Sequence, residues 1–387
     1  MPILNRVAEL HEEVTEWRRH LHTIPELLYE VHQTAAFVAD KLRAFGCDEV
    51  VTGIGRTGVV GLIKGTRGDG PVIGLRADMD ALPLNEITGK PYASQTQGKM
   101  HACGHDGHTA MLLGAAKYLA ETRNFAGSVA VIFQPAEEGG AGGKAMIEDG
   151  LMDRFGIQSV FGMHNMPGLP VGQFATRPGP LMAATCEFTI TVRGKGGHAA
   201  MPHLSIDPIV TASQIVTALQ TITARSIDPL DSLVVSVTKF HSGDANNVIA
   251  PSAELAGTIR TLRDEVGELA RARMVEICNG IAAANGAQVD VALDINYPVT
   301  FNHAEETDFV IDIATQIAGQ GNVDGAVSPT MGGEDFSYML QARPGAFIFA
   351  GNGDTAGLHH PAYDFNDELI PHGISYWVKL TEAALAR

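Results

Sequence analysis

Val7, Leu10, Val14, Trp17 and Leu21 recur every three or four positions among charged residues, the spacing of one helical face, and Pro25 marks where that helix stops. The segment TAAFVADKLRAFG repeats the pattern and ends on Gly46, a residue suited to a helix C-terminus. Beyond it the periodicity changes. PVIGLRAD, SVAVIFQP, SVFGMHNM and, much later, GAFIFAG are short runs apolar on both faces, alternating with helical patterns. Such runs predict strands buried in a largely parallel sheet with helices on both sides, an α/β fold.

From Thr185 to about Asn296 the order is different. CEFTITVRG alternates with period two, DPIVTASQIVTALQTITAR is helical, SLVVSVTKFHSG and AELAGTIRTL read as strands, EVGELARARMVEICNGIAAA is helical, and AQVDVALDINYP is a last strand. The order βαββαβ predicts a ferredoxin-like α+β unit, one four-stranded antiparallel sheet with two helices on one face. A chain of 387 residues exceeds one ordinary core. Two domains are expected: a discontinuous α/β domain over 1–184 and 297–387, interrupted by an inserted domain over 185–296.

Composition narrows the function. A formal net charge of -17 disfavours nucleic acid and anionic membrane surfaces, both of which need clustered Lys and Arg. No run of 18 apolar residues occurs, and MPILNRVAEL lacks the order of a signal peptide, so a cytoplasmic location is expected. Cys47, Cys103, Cys186 and Cys278 are far apart without CxxC pairing and read as free thiols. Only Cys103 is flanked by histidines.

Four predicted strands deliver chemistry at or just past their carboxyl ends, the edge where open α/β sheets bind ligands. VIGLRADMDALP ends at Asp78 and Asp80, SVAVIFQPAEEGG at Glu137 and Glu138, SVFGMHNMPG at His164, and GAFIFAGNGDTAGLHHPAYD shortly before His359 and His360. MHACGHDGHTAM adds Cys103 and His105 ahead of a helix. Residues two apart share no helix face, so irregular backbone, eased by Gly104, must bring both to one point. Cys103, His105, Glu138, His164 and His359 would suit zinc, and also manganese, cobalt or nickel. Five donors exceed the need of one catalytic ion, whereas two ions about 3.5–4 Å apart sharing Cys103 would use them, with Glu137 placed to take a proton from a bridging water. A structural zinc knuckle lacks its second cysteine. A nucleophilic Cys103 with a histidine base is a rival, and it leaves Glu138, His164 and His359 unused.

WRRHLHTIPEL, GLRADMDALP, MHACGHDGHTAM, FQPAEEGGAGGKAMIEDG, GMHN, GKGGHAAMPH, NVIA…GTIRT, MGGEDFSYM and LHHPAYDFND, in order from Trp17 to Asp367, together resemble the M20 metallopeptidase and amidohydrolase family. The nearest branch is that of hippurate hydrolases and N-acyl-amino-acid amidohydrolases. The resemblance implies two divalent metal ions held by Cys103, His105, Glu138, His164 and His359, with Glu137 as general acid and base. It implies that the insert is a lid and dimerisation domain whose His198 reaches a partner subunit's site, giving a homodimer or homotetramer. Asn247 and Arg260 match substrate-binding positions near the carboxylate of the amino-acid portion, where an arginine fork meets both oxygens. Many members carry a metal-binding histidine where this chain has Asp78, so Asp78 and Asp80 are taken as orienting residues. Ala250 stands where relatives usually have proline, and the pattern favours His359 over its neighbour His360 as ligand. The expected substrates are N-acyl amino acids, aroyl or acetyl. A metallo-dipeptidase or aminopeptidase, an N-acetyl-diaminopimelate deacetylase, or a binding protein that keeps the scaffold without the chemistry are the other readings.

Overall fold

The structure is a computed structural model that describes residues 4–386. The chain divides into two compact units, Met1–Leu181 with Phe301–Ser328 and Asp335–Arg387, and Met182–Thr300 with Pro329–Glu334.

In the first unit, helices α1 (Asn5–Thr23) and α2 (His32–Ala44) precede strands β1 (Glu49–Ile54), β2 (Gly58–Lys64) and β3 (Val72–Asp78). Helix α3 (His105–Thr122), strand β4 (Ser128–Gln134) and strand β5 (Ile157–Pro167) follow. One eight-stranded sheet runs β1, β2, β4, β3, β5, Gly345–Gly353, Phe174–Ala175, Val323–Asp324. Its centre is parallel from β4 through β3 and β5 to Gly345–Gly353, while β1, β2 and β4 pair antiparallel. The mixed, largely parallel sheet is the one the apolar runs predict. The β1–β2 hairpin lies outside that pattern, because β1 buries only Ile54 and so lacks a run apolar on both faces.

Helix α3 is buried from His105 to Ala116 and packs against α1 and the C-terminal helix Ile370–Ala384. Leu10, Val14 and Trp17 of α1, Leu112 and Leu113 of α3, and Ile374 and Trp377 share this core. Each such large side chain contributes about 1.5–3 kcal/mol by leaving water. That packing fixes the α3 N-terminus, from which Cys103 and His105 are presented.

The second unit orders its strands Leu233–His241, Ser252–Thr261, Ala184–Arg193, Gln288–Tyr297, antiparallel throughout. Alternate residues Cys186, Phe188, Ile190 and Val192 pack with Ile215 and Leu219 of helix Pro208–Thr221 and with Ala270, Met274 and Cys278 of helix Asp264–Ala284. Asp207 caps the first of these helices by accepting from Ile209 and Val210 N–H, with Pro208 at its start. That helix passes into a π-helical turn over Ile222–Ser226, where the spacing predicts one continuous helix to Arg225. A short ribbon also pairs His198 with Val248.

Among the described residues no helix is long and apolar enough to cross a membrane.

Candidate metal centre

Asp78 closes β3, and three residues after β4 ends at Gln134 the chain reaches Glu137 and Glu138 through Ala136 in the left-handed region (φ 55°). His359 follows strand Gly345–Gly353 and is itself left-handed, φ 61°. His164 corrects the sequence reading. It lies within β5, not beyond it, opposite Phe349, because the neighbouring strand Gly345–Gly353 carries the pairing on to Pro167.

The Cys103–His105 problem is solved at Gly104, the residue before α3, with φ 91°. A Cβ there would lie 2.3 Å from Asn165 Nδ2 and 2.5 Å from Tyr363 Oη, so only glycine fits. The turn lets residues two apart approach one point.

The structure brings Cys103, His105, Glu138, His164 and His359 together. Their donor atoms form two groups within 4.8 Å, Cys103 with His105 and His164, and Cys103 with Glu138 and His359. Cys103 Sγ is 3.4 Å from His164 Nε2, His359 Nε2 is 3.3 Å from Glu138 Oε1, and His105 Nε2 is 4.0 Å from the same oxygen. Glu137 groups with Glu138 and His105 and is 7% exposed. Asp80 accepts from the backbone N–H of Glu137 at 2.9 Å and of Glu138 at 3.1 Å, pinning the loop that carries both.

Which imidazoles are available follows from their partners. His108 places Nδ1 2.6 Å from Asp78 Oδ1, while its Nε2 accepts from Asn165 N–H at 3.0 Å, so neither nitrogen is left for an ion. His105 is the opposite case: both ring nitrogens are buried without a hydrogen-bond partner, the Asp80 and Asp78 oxygens lying 3.6 and 3.7 Å away. Buried polar atoms are rarely left so, and these two nitrogens fit the requirement of a cation.

The field is anionic. Burial pushes the His105 imidazole down, but Asp78 and Asp80 outweigh it and hold it up at about 10. Burial also drives His164 well below its ordinary value, leaving the neutral imidazole that ligates. The Cys103 thiol is pushed well above its usual range by burial and by Glu138 and Glu137. A nucleophilic cysteine needs the reverse, a depressed pKa beside a cationic partner, so the surroundings of Cys103 disfavour that rival. A bound divalent cation would instead stabilise its thiolate.

Residues 74–383 match the family model of peptidase family M20/M25/M40. The chain belongs to this family. The M20 chain is 43% identical over 380 residues to the hippurate hydrolase of Campylobacter jejuni, covering 98% of each. It is 42% identical to an N-acetyl-L-cysteine deacetylase of Bacillus subtilis, over 94% of this chain and 86% of that protein. Among solved structures, a dinuclear metal binding peptidase of the M20 family from Bacillus subtilis superposes with a TM-score of 0.85 at 36% identity, over 98% of this chain and 99% of the other.

Three of the residues singled out from the M20 resemblance sit in the second unit. His198 is exposed on its ribbon, and the Asn247 carbonyl accepts from Ala199 N–H at 3.0 Å. Arg260 is partly buried, donates through Nε to Thr258 Oγ1 at 3.0 Å, and is lowered in pKa by burial. His360 is exposed, and its Nδ1 accepts from Ala362 N–H at 3.1 Å. The sequence reading missed Arg76, which is buried and bonded to Asp78 Oδ2 at 2.7 Å, Gln134 Oε1 at 2.9 Å and Asp335 Oδ1 at 3.0 Å. It also missed Asn165 and Tyr363. The only signal was position: Arg76 is two residues before Asp78, Asn165 follows His164, and Tyr363 is four residues after His359.

Proposed function

We propose that this chain hydrolyses the amide bond of N-acyl amino acids, aroyl or acetyl, releasing a carboxylic acid and a free amino acid, with two divalent cations, zinc or manganese, at the centre just described. One observation carries this reading. Cys103 belongs to two donor groups at once, and a buried carboxylate, Glu137, adjoins them. Relatives that act on hippurate and N-acetyl-L-cysteine, and a dinuclear relative of the same fold, support it.

Cys103, His105 and His164 would hold one ion, and Cys103, Glu138 and His359 the other. Bound there, divalent ions would supply Lewis acidity toward the scissile carbonyl and water. The chain's own part is proton handling and orientation. A Glu137 carboxylate oxygen takes the proton of the attacking water and returns it to the leaving nitrogen, serving as base and then acid. Asp80 keeps that carboxylate in place by holding the backbone N–H of Glu137 and Glu138. Arg260, a partly buried fork, with Asn247 would bind the carboxylate of the amino-acid portion. The second unit would serve as lid and dimerisation domain, with His198 donated to a partner subunit's site to stabilise the oxyanion.

The test is hydrolysis of benzoyl-glycine, N-acetylcysteine and a free dipeptide by the purified protein before chelation, after chelation, and after return of zinc or manganese. Cleavage of the acylated substrates that disappears with chelator and returns with metal is expected. Activity indifferent to chelator, or confined to the dipeptide, would reject the reading.

A further inference from the structure

Asn165 is fully buried and joins two of the segments that carry the candidate donors. Its Nδ2 donates to the Cys103 carbonyl at 2.6 Å, and its Oδ1 accepts from Tyr363 Oη at 2.7 Å. A carbonyl and a hydroxyl on opposite ends of the amide fix which end is nitrogen. Its backbone N–H donates to His108 Nε2 at 3.0 Å, which leaves Nδ1 as the protonated nitrogen facing Asp78 Oδ1 at 2.6 Å. Asp78 in turn lies 3.7 Å from His105 Nε2. Tyr363 is also fully buried, and its own N–H donates to the carbonyl of His360 at 2.9 Å, closing the loop that bears His359. The His359 N–H donates to the Ala102 carbonyl at 2.8 Å, so this loop is joined to the Cys103 turn once directly and once through Asn165.

The Cys103 turn, α3 through His108, β5 through His164, and the His359 loop thus meet on one amide. Gly104 closes the arrangement, since a Cβ at that position would run into both groups.

We propose that Asn165 and Tyr363 are positioning residues which set the distance between the two donor groups that share Cys103. The inference rests on the two-cation reading above. It goes beyond it in assigning the pre-organisation of that centre to an amide–phenol pair that touches neither substrate nor ion. Removing the pair should loosen the placement of Cys103 relative to His359 while leaving every donor in the chain. Partners that orient metal ligands in this way are typically worth about 10- to 100-fold in affinity.

The experiment measures the affinity of the full-length protein for zinc by competition with a chromophoric chelator, for wild type, Tyr363→Phe, Asn165→Ala and the double variant. Unfolding of each metal-free protein in urea is measured in parallel. Cobalt-loaded samples report the thiolate-to-cobalt absorption of Cys103. The expected result is a loss of zinc affinity of roughly 10-fold or more in Asn165→Ala. A smaller loss is expected in Tyr363→Phe, and no further loss when Tyr363→Phe is added to Asn165→Ala, because the phenol acts through the amide. The cobalt band should shift in both single variants. Tyr363→Phe keeps the ring and is the variant to trust if Asn165→Ala fails to fold. Wild-type protein that binds two ions together with variants within twofold of it in affinity, or substitutions that add independently, overturns the proposal and spares the two-cation reading. A wild-type protein that binds no ion overturns both.

Discussion

Glu137 adjoins His105 and Glu138, is held by its backbone to Asp80, and is almost wholly buried. As the proposed proton carrier it is not a ligand in either group that shares Cys103, so the amide isostere should leave the centre intact. Glu137→Gln is expected to lower kcat by roughly 10²- to 10⁴-fold, with two metal ions per chain still found by elemental analysis. Tyr376 makes the opposite case among single residues. It is fully buried, stacked on Phe174, and its hydroxyl has no hydrogen-bond partner among the described residues. Removing an unpaired buried hydroxyl takes away a desolvation cost. Tyr376→Phe is therefore expected to stabilise the protein by about 1 kcal/mol, read from urea unfolding, with turnover unchanged.

At the scale of elements, α1 and α3 are joined by a buried ionic cluster directly behind the centre. Arg18 Nε is 3.1 Å and His22 Nδ1 2.8 Å from Asp106 Oδ2 in the first turn of α3, and Arg18 Nη2 is 2.8 Å from Asp364. Burial pushes His22 down, but Asp106 and Glu86 outweigh it and hold the imidazole at about 9. A folded-state value above the unfolded one means that the folded chain keeps a proton the unfolded chain releases. The stabilisation is complete below the ordinary histidine value of 6.5 and is lost as pH rises to about 9. Within that window stability should fall by about 1.4 kcal/mol per pH unit. The half-buried thiol of Cys47 and the buried thiol of Cys278, both pushed up to about 12 by desolvation, act in the same direction only above the ordinary thiol range. Comparing urea unfolding of metal-free wild type and His22→Gln between pH 6.5 and 8 isolates the imidazole, and equal slopes would exclude it. Gly104→Ala tests the other end of this junction. The left-handed backbone alone should cost about 1–3 kcal/mol, with further loss from the 2.3 Å approach to Asn165 Nδ2.

This level also divides what could be read from the chain from what could not. Cys103, Glu138 and His359 stand out in sequence because each is a ligand-type residue beside a strand end or helix start, and period-two alternation exposes the strands of the second unit. Asn165 and Tyr363 carry no such mark, because an amide or a phenol becomes a buried partner only through contacts distant in sequence, and Arg76, although two residues from Asp78, meets Gln134 and Asp335 only through the fold. The half-exposed β1 and the His198–Val248 ribbon were hidden for a related reason: neither buries enough to leave a periodic trace.

For the whole molecule, the two compact units divide the proposed labour, with the metal donors in one and His198, Asn247 and Arg260 in the other. If His198 is supplied to a partner subunit's site, the active unit is at least a dimer, and a site is complete only when one protomer brings Glu137 and its neighbour brings His198. Two inactive variants should then rescue each other. Mixing Glu137→Gln with His198→Ala after reversible dissociation gives half hybrid dimers at equal amounts. Each hybrid contains one site with an intact Glu137 from one protomer and an intact His198 from the other, and one site with neither. Restoration of about a quarter of wild-type activity follows from that two-fold arithmetic. A His198 acting within its own subunit would leave every site in the mixture with one defect, and the activity would stay at the level of the separate variants.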